Sequence, residues 1–396
     1  MITLIEPIQY IVSAFNRINY KISSDEVLQD GFKYVVKVFD ANDLLISTIY
    51  YDAEAVYDSP LEFDISNFVN TRFQYQDSIM QEMALVSLPT YSYKYRLKCY
   101  EYYLNDLGVY AIDVASEVVS EWKIAVPLSI PLIELSNFYT NEYPYKFTDV
   151  CDESGGNLKP LTDWEYQKLR LTDLYTICCY SLDNRPIISF IMRAYTGESY
   201  TDLEYVTYGI DESLYVLGVT PINFGNPDKI EIFVKFSSGA CGDSYIKLVQ
   251  TLYIQPCSKY EPVRLMYLGK YGTMEYMNFD LVSRQSFDID RKKYQRDYTG
   301  DLLRPLINNM QNITPIYYTG EKEKWKLTSD YLTNEQSHLL RYLYSSPLVY
   351  MVMPNGQYVN VNIVPNTYEV KNSTIDKLFN LDLDIEIPVL NTRQSI

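Results

Sequence analysis

Tyrosine supplies 41 of the 396 residues of this chain, and no other feature narrows its fold as far. The side chain is an apolar plate with one hydrogen-bonding tip, favoured on pleated sheets and at protein contacts. Its phenol ionises at about pH 10, which makes it a poor base in neutral solution. Histidine, the usual carrier of protons at about pH 7, occurs once. A chain so rich in one and so poor in the other is built for sheets and contact surfaces, with little provision for chemistry.

The spacing of apolar residues agrees. Residues 32–39 are aromatic and β-branched, Asp40, Ala41, Asn42 and Asp43 supply turn chemistry, and 44–51 resumes the strand pattern. Leu61, Phe63 and Ile65 alternate with Glu62 and Asp64, the period of a half-buried strand. Farther on, Tyr93, Tyr95, Leu97 and Cys99 share one face, and Lys94, Arg96, Lys98 and Tyr100 share the other. This density of short strands predicts a β-sandwich-like domain over 1–130. Pro127, Pro131 and Pro144, with a small-residue loop at 152–157, make 131–185 an irregular linker region. Strand-length pieces at 187–195, 203–209, 213–219, 229–236 and 245–254 predict a second β-rich domain over 186–312.

Residues 313–396 read as a C-terminal α+β module. Thr333 and Gln336 fit a capping box, Leu339, Leu340, Leu343 and Tyr344 follow at helical spacing, and Pro347 stops the helix. Asn355-Gly356 between two apolar runs predicts a hairpin. Leu381, Leu383, Ile385 and Ile387 alternate strictly with Asp382, Asp384 and Glu386, giving one buried face and one acidic face. The expected fold class is mainly β: two β-sandwich-like domains with a smaller C-terminal α+β module.

The formal charge of −17 argues against a general phosphate-neutralising surface. It suits a duct wall past which DNA slides without specific binding. Arg291, Lys292 and Lys293 form a local basic cluster, read as a solvated loop. The first residues lack the basic and apolar regions of a signal peptide, and no apolar run approaches the roughly 20 residues that span a bilayer. Cys99, Cys151, Cys178, Cys179, Cys241 and Cys257 show no zinc spacing, and reduced thiols are expected. Cys178 and Cys179 are neighbours in an apolar strand and face opposite ways.

No catalytic, metal or cofactor residues emerge. His338 has no nucleophile motif near it, which removes a Ser-His-Asp triad. Asp382, Asp384 and Glu386 lie about 7 Å apart along one strand, too spread for a cation site without other ligands. They read as a solvated face or a salt-bridged contact to a neighbouring subunit. Asp288 and Asp290 read the same way. The small-residue loop 237–244 lacks the Lys ending of a P-loop and joins two strands.

One stretch is more distinctive. Residues 264–280 carry Tyr267, Leu268, Gly272, Glu275, Tyr276 and Phe279 on two strands joined by a turn at Lys270, Tyr271 and Gly272. The arrangement resembles an aromatic-Leu-x-x-x-Gly-x-x-acid-aromatic-x-x-Phe pattern of virion proteins from phages of Bacteroides-type hosts. Tyr267 stands where that pattern has Trp, and Thr273 where it has a second Gly. The resemblance, over about a quarter of the chain, is to tail or neck proteins of crAss-like bacteriophages: the ring, adaptor and hub components below the portal. It implies a non-enzymatic virion protein made in the host cytoplasm, contacting copies of itself and other tail proteins. Tyr267, Gly272, Tyr276 and Phe279 are the expected interaction residues. A receptor- or glycan-binding tail protein, with tyrosines as stacking platforms, is the alternative.

Overall fold

The computed structural model describes residues 2–7, 11–53, 60–73, 85–88, 91–105, 108–131, 134, 161–181, 187–207, 214–237, 244–255, 259–294, 314–354, 356–365, 367–369, 380–388 and 391–394. The fold is mainly β, with six separate sheets among these residues. It divides into two compact units, 1–255 with 270–273, and 256–269 with 274–396.

In the first unit, β1 (Ile2–Ile5), β3 (Asn19–Ser24) and β6 (Leu61–Asp64) form a small sheet. It faces a larger one that runs β2 (Ile11–Ser13), β10 (Lys123–Val126), β8 (Tyr93–Leu104), β4 (Lys33–Asp40), β5 (Leu45–Asp52), with β9 (Tyr110–Val119) also on β8. Between them lie Tyr20, Ile22, Tyr34, Val36, Tyr95, Leu97 and Cys99, all buried. The expected alternation along β8 is therefore real, with its odd-numbered residues inward. A buried tyrosine must satisfy its hydroxyl, and Tyr20 and Tyr95 do so against each other at 3.3 Å. The short helix α1 (Ser66–Asn70) follows β6, and the Ser66 backbone N–H at its start donates to Asp64 Oδ1 at 2.9 Å.

The opposite face of β10 enters a second core. Ile124, Val126, Leu128 and Tyr91 pack there with Cys178, Tyr180, Leu214 and Val216. The latter four lie on β12 (Tyr175–Tyr180) and β15 (Leu214–Val219), which form a three-stranded sheet with β7 (Leu85–Leu88). Every residue of β12 and β15 is buried. A strand covered on both faces loses its polar alternation, which is why 175–180 reads as a continuous apolar run. Beyond it stands a five-stranded sheet, β11 (Tyr166–Leu169), β17 (Ser244–Ile254), β16 (Lys229–Ser237), β13 (Ile187–Thr196), β14 (Ser199–Val206). Phe190 of β13 reaches Tyr215 of β15, ring centroids 6.3 Å apart.

These layers correct the expected boundaries. The blocks 1–130 and 186–255 are not separate bodies: β7 pairs with β15, and both blocks feed one core. Nor is 131–185 only a linker, since β11 and β12 are integral strands. β14 also begins earlier than the expected 203–209.

The second unit holds two sheets. One runs β19 (Met274–Phe279), β18 (Val263–Leu268), β22 (Val349–Val352), β23 (Tyr358–Asn360). The other runs β20 (Arg284–Lys293), β21 (Ile316–Thr328), β25 (Asp382–Glu386), β24 (Asn362–Ile363), with β26 (Asn391–Gln394) on β21. The helix α2 (Asn334–Ser345) starts on the expected box: the Thr333 hydroxyl accepts from the Gln336 backbone, and the Gln336 side chain accepts from that of Thr333. Leu381, Leu383 and Ile385 are buried while Asp382 and Asp384 are exposed, as the strict alternation required. Gly356 takes φ 78° in the expected hairpin, whose Asn355 lies outside the described residues.

Candidate functional site

The hairpin of β18 and β19 carries the motif. Register places Tyr267 opposite Glu275 and Val263 opposite Phe279 on one face, and Arg264 opposite Asn278 and Met266 opposite Tyr276 on the other. Both faces are buried: Tyr267 and Phe279 are wholly enclosed and Tyr276 nearly so. The Tyr267 hydroxyl donates to Glu275 Oε2 at 2.9 Å. A Cβ at Gly269 would meet the Glu275 carboxyl carbon at 2.8 Å, so glycine there makes room for the buried acid. On the other face the Arg264 guanidinium lies 4.5 Å from the Tyr276 ring centre and donates to Asn278 Oδ1 at 2.8 Å. A charge taken out of water needs such partners.

The turn, Lys270–Thr273, belongs to the first unit. Gly272 has φ 69°, and a Cβ on it would drive into the carbonyl oxygen of Pro127. The Lys270 carbonyl accepts from Ser129 N–H at 2.7 Å, the Tyr271 hydroxyl donates to Asp163 Oδ1 at 2.8 Å, and Thr273 Oγ1 donates to the Leu161 carbonyl at 2.9 Å. The Tyr271 carbonyl accepts from the Tyr91 hydroxyl, and Lys270 pairs with Asp163 and Glu134. Thr273, a departure from the motif, is thus employed as a donor. Tyr267, Tyr276 and Phe279 come together within one hairpin, and Gly272 shapes its turn. The three aromatic side chains form interior structure, with no outward face of their own.

The remaining sequence candidates are dispersed. His338 is exposed on α2. The acidic row on β25 meets lysines of its own sheet: Lys322 lies 3.0 Å from Glu386, and Lys326 lies 3.6 Å from Asp382 and opposite Asp384. Asp288 pairs with Lys324 at 2.5 Å and, with Asp290, Tyr318 and Lys322, lines a surface groove of about 420 Å³. Arg291, Lys292 and Lys293 end a strand, correcting the expected loop, and are exposed. Strands β16 and β17 pair from Ser237 opposite Ser244, but 238–243 lie outside the described residues. Among the described residues, no three His, Cys, Asp or Glu side chains converge as a metal ion requires, and no helix is long and apolar enough to cross a membrane.

Cys99, Cys178 and Cys179 are buried free thiols. Burial, reinforced by the charge of Glu6, pushes Cys99 up to about 12, and burial also raises Cys179. Cys151, Cys241 and Cys257 lie outside the described residues.

Sequence reasoning missed one arrangement. On the open face of the large sheet, Lys37 of β4 stands directly opposite Lys98 of β8. The Lys37 ammonium lies 4.9 Å from the Tyr100 ring centre, and that of Lys98 lies 5.0 Å from Phe39. Alternation along β8 places Lys98 on this face, but no local signal says which residue of β4 will face it.

Compared with models of known protein families and with curated proteins, the sequence matches none.

Proposed function

We propose that this chain is a non-enzymatic virion structural protein, one of several copies in a multimeric ring of a phage tail or neck. The observation that carries this reading is where the exposed apolar side chains lie. Single ones are ordinary on any protein, but here they gather on strands at sheet margins. Tyr110, Val114 and Val119 lie on β9; Tyr200, Leu203 and Val206 on β14; Phe287 and Ile289 on β20. Such grouping marks surfaces that end against another protein. Heterologous contacts of this kind close into rings when their rotation closes.

The test is the native mass of the purified full chain across a concentration series. A discrete multiple of the chain mass is expected. A monomer at every concentration would remove self-assembly and leave only assembly on another tail protein.

The exposure of Tyr200 and Tyr331 favours the glycan-binding alternative. Against it, the Arg193 guanidinium already lies 4.3 Å from the Tyr200 ring centre, covering a face a sugar would use. Binding to a host-glycan array that Tyr331→Ala abolishes would favour that alternative.

A further inference from the structure

We infer that the open face of the large sheet in the first unit is the docking surface for a second copy of this chain, with Lys37 and Lys98 receiving its carboxylates. This rests on the multimeric reading above and names the surface through which it acts.

Two lysines directly opposite each other on paired strands, their Cβ atoms about 5 Å apart, put two cations on one patch of the sheet, and like charges so placed are unfavourable. Acidic residues outnumber basic ones here by 51 to 34, so anions are in surplus. Several other strand lysines use them: Lys33 pairs with Asp52 at 2.9 Å, Lys229 with Glu231 at 2.7 Å, Lys322 with Glu386 at 3.0 Å. Lys37 and Lys98 have no carboxylate partner among the described residues. Each lies over a ring instead, which holds the ammonium in place without neutralising it. Around this pair the sheet exposes Leu45, Tyr50, Tyr110 and Val119. Apolar and aromatic area around a few fixed charges is the make-up of a protein interface.

The choice of occupant follows from charge and ring geometry. A nucleic acid strand binds through open aromatic faces and a run of cations. On this sheet Lys37, Lys98 and Arg96 cover the rings of Tyr100, Phe39 and Trp122, at 4.9, 5.0 and 4.6 Å from their centres. Asp52 and Asp43 already neutralise Lys33 and Arg96. Two free cations are too few to hold a phosphate backbone against a net charge of −17. That same charge makes copies repel one another overall and favours contact where cations lack a carboxylate, as Lys37 and Lys98 do among the described residues. The second copy is therefore the complementary partner.

The experiment compares self-association of the wild-type full chain, the double variant Lys37→Glu/Lys98→Glu and the control Arg17→Glu/Lys259→Glu, two exposed residues off the strands named above, which changes net charge equally. Sedimentation velocity over a concentration series at low and high salt is the readout, with circular dichroism to establish folding. We expect wild-type association to weaken with salt, and the Lys37/Lys98 variant to associate about tenfold more weakly or worse, with the control unchanged. Wild-type association that neither variant alters, or both alter equally, overturns this surface and leaves the ring reading standing. A wild type monomeric throughout overturns this surface together with unaided self-assembly. Binding of a labelled single-stranded oligonucleotide that Lys37→Glu/Lys98→Glu alone removes would overturn the choice of partner. Should the glutamate variant not fold, Lys37→Ala/Lys98→Ala answers the same question, because it removes both cations and introduces no new charge.

Discussion

The hydroxyl of Tyr267 donates a hydrogen bond to Glu275 at 2.9 Å, across two strands and with both side chains buried. A carboxylate in such a site is stabilised by every donor aimed at it, and removing one leaves the cost of its burial less well offset. Tyr267→Phe keeps the ring and removes only that donor. We expect a loss of about 1–3 kcal/mol in urea unfolding. A stability equal to wild type would show that Glu275 does not depend on this bond.

Gly272 and Gly356 make a matched pair. Both take positive φ, 69° and 78°, yet only Gly272 has backbone where a Cβ would go. Gly356→Ala should cost about 1–2 kcal/mol, the price of the left-handed backbone alone. Gly272→Ala adds the collision with Pro127 and should cost clearly more. Equal losses by thermal or urea melting would mean that the turn moves aside freely.

Alkaline pH should destabilise the fold. Burial raises Tyr100 to about 12, helped by the Glu117 carboxylate that its hydroxyl contacts, and burial raises Tyr344 to about 12 as well. Burial does the same to Cys99, from 9.0 to about 12. Each group holds its proton more tightly folded than unfolded. Its contribution is complete below the unfolded value, 9.0 for the thiol and 10.0 for the phenols, and is lost as pH rises toward about 12. The urea midpoint should fall through that window. A midpoint that stays level across it would contradict the burial of these groups.

Cys99, Cys178 and Cys179 should resist alkylation in the native protein. The thiolate is the reactive form, and burial both hides these sulfurs and, for Cys99 and Cys179, suppresses ionisation. Iodoacetamide followed by peptide mass mapping should find them unmodified in buffer and modified in urea. Rapid native labelling of Cys179 would place it nearer solvent than its strand allows.

Much of the local structure was legible because its causes are local. The capping box at Thr333 and Gln336 joins groups three residues apart. The alternation of Leu381, Leu383 and Ile385 with Asp382 and Asp384 lies within one strand. For the motif hairpin, the sequence showed two strands and a turn but not that Tyr267, Tyr276 and Phe279 are interior. Their burial depends on sheets contributed by residues far along the chain, including β22 beside β18.

By itself, then, the amino-acid order determined that this is a mainly β chain, the course of many of its strands, and which residues of those strands share a face. Side-chain alternation, turn chemistry and helix caps act over a few residues, so they can be read without knowing the fold. Only the tertiary structure decided what covers each face. It set β7 beside β15, made one unit of 1–255, closed Pro127 over Gly272 and brought Lys37 opposite Lys98. Pairing between distant strands minimises the exposed apolar area of the whole sheet stack. That sum runs over many residues at once, and no local pattern contains it.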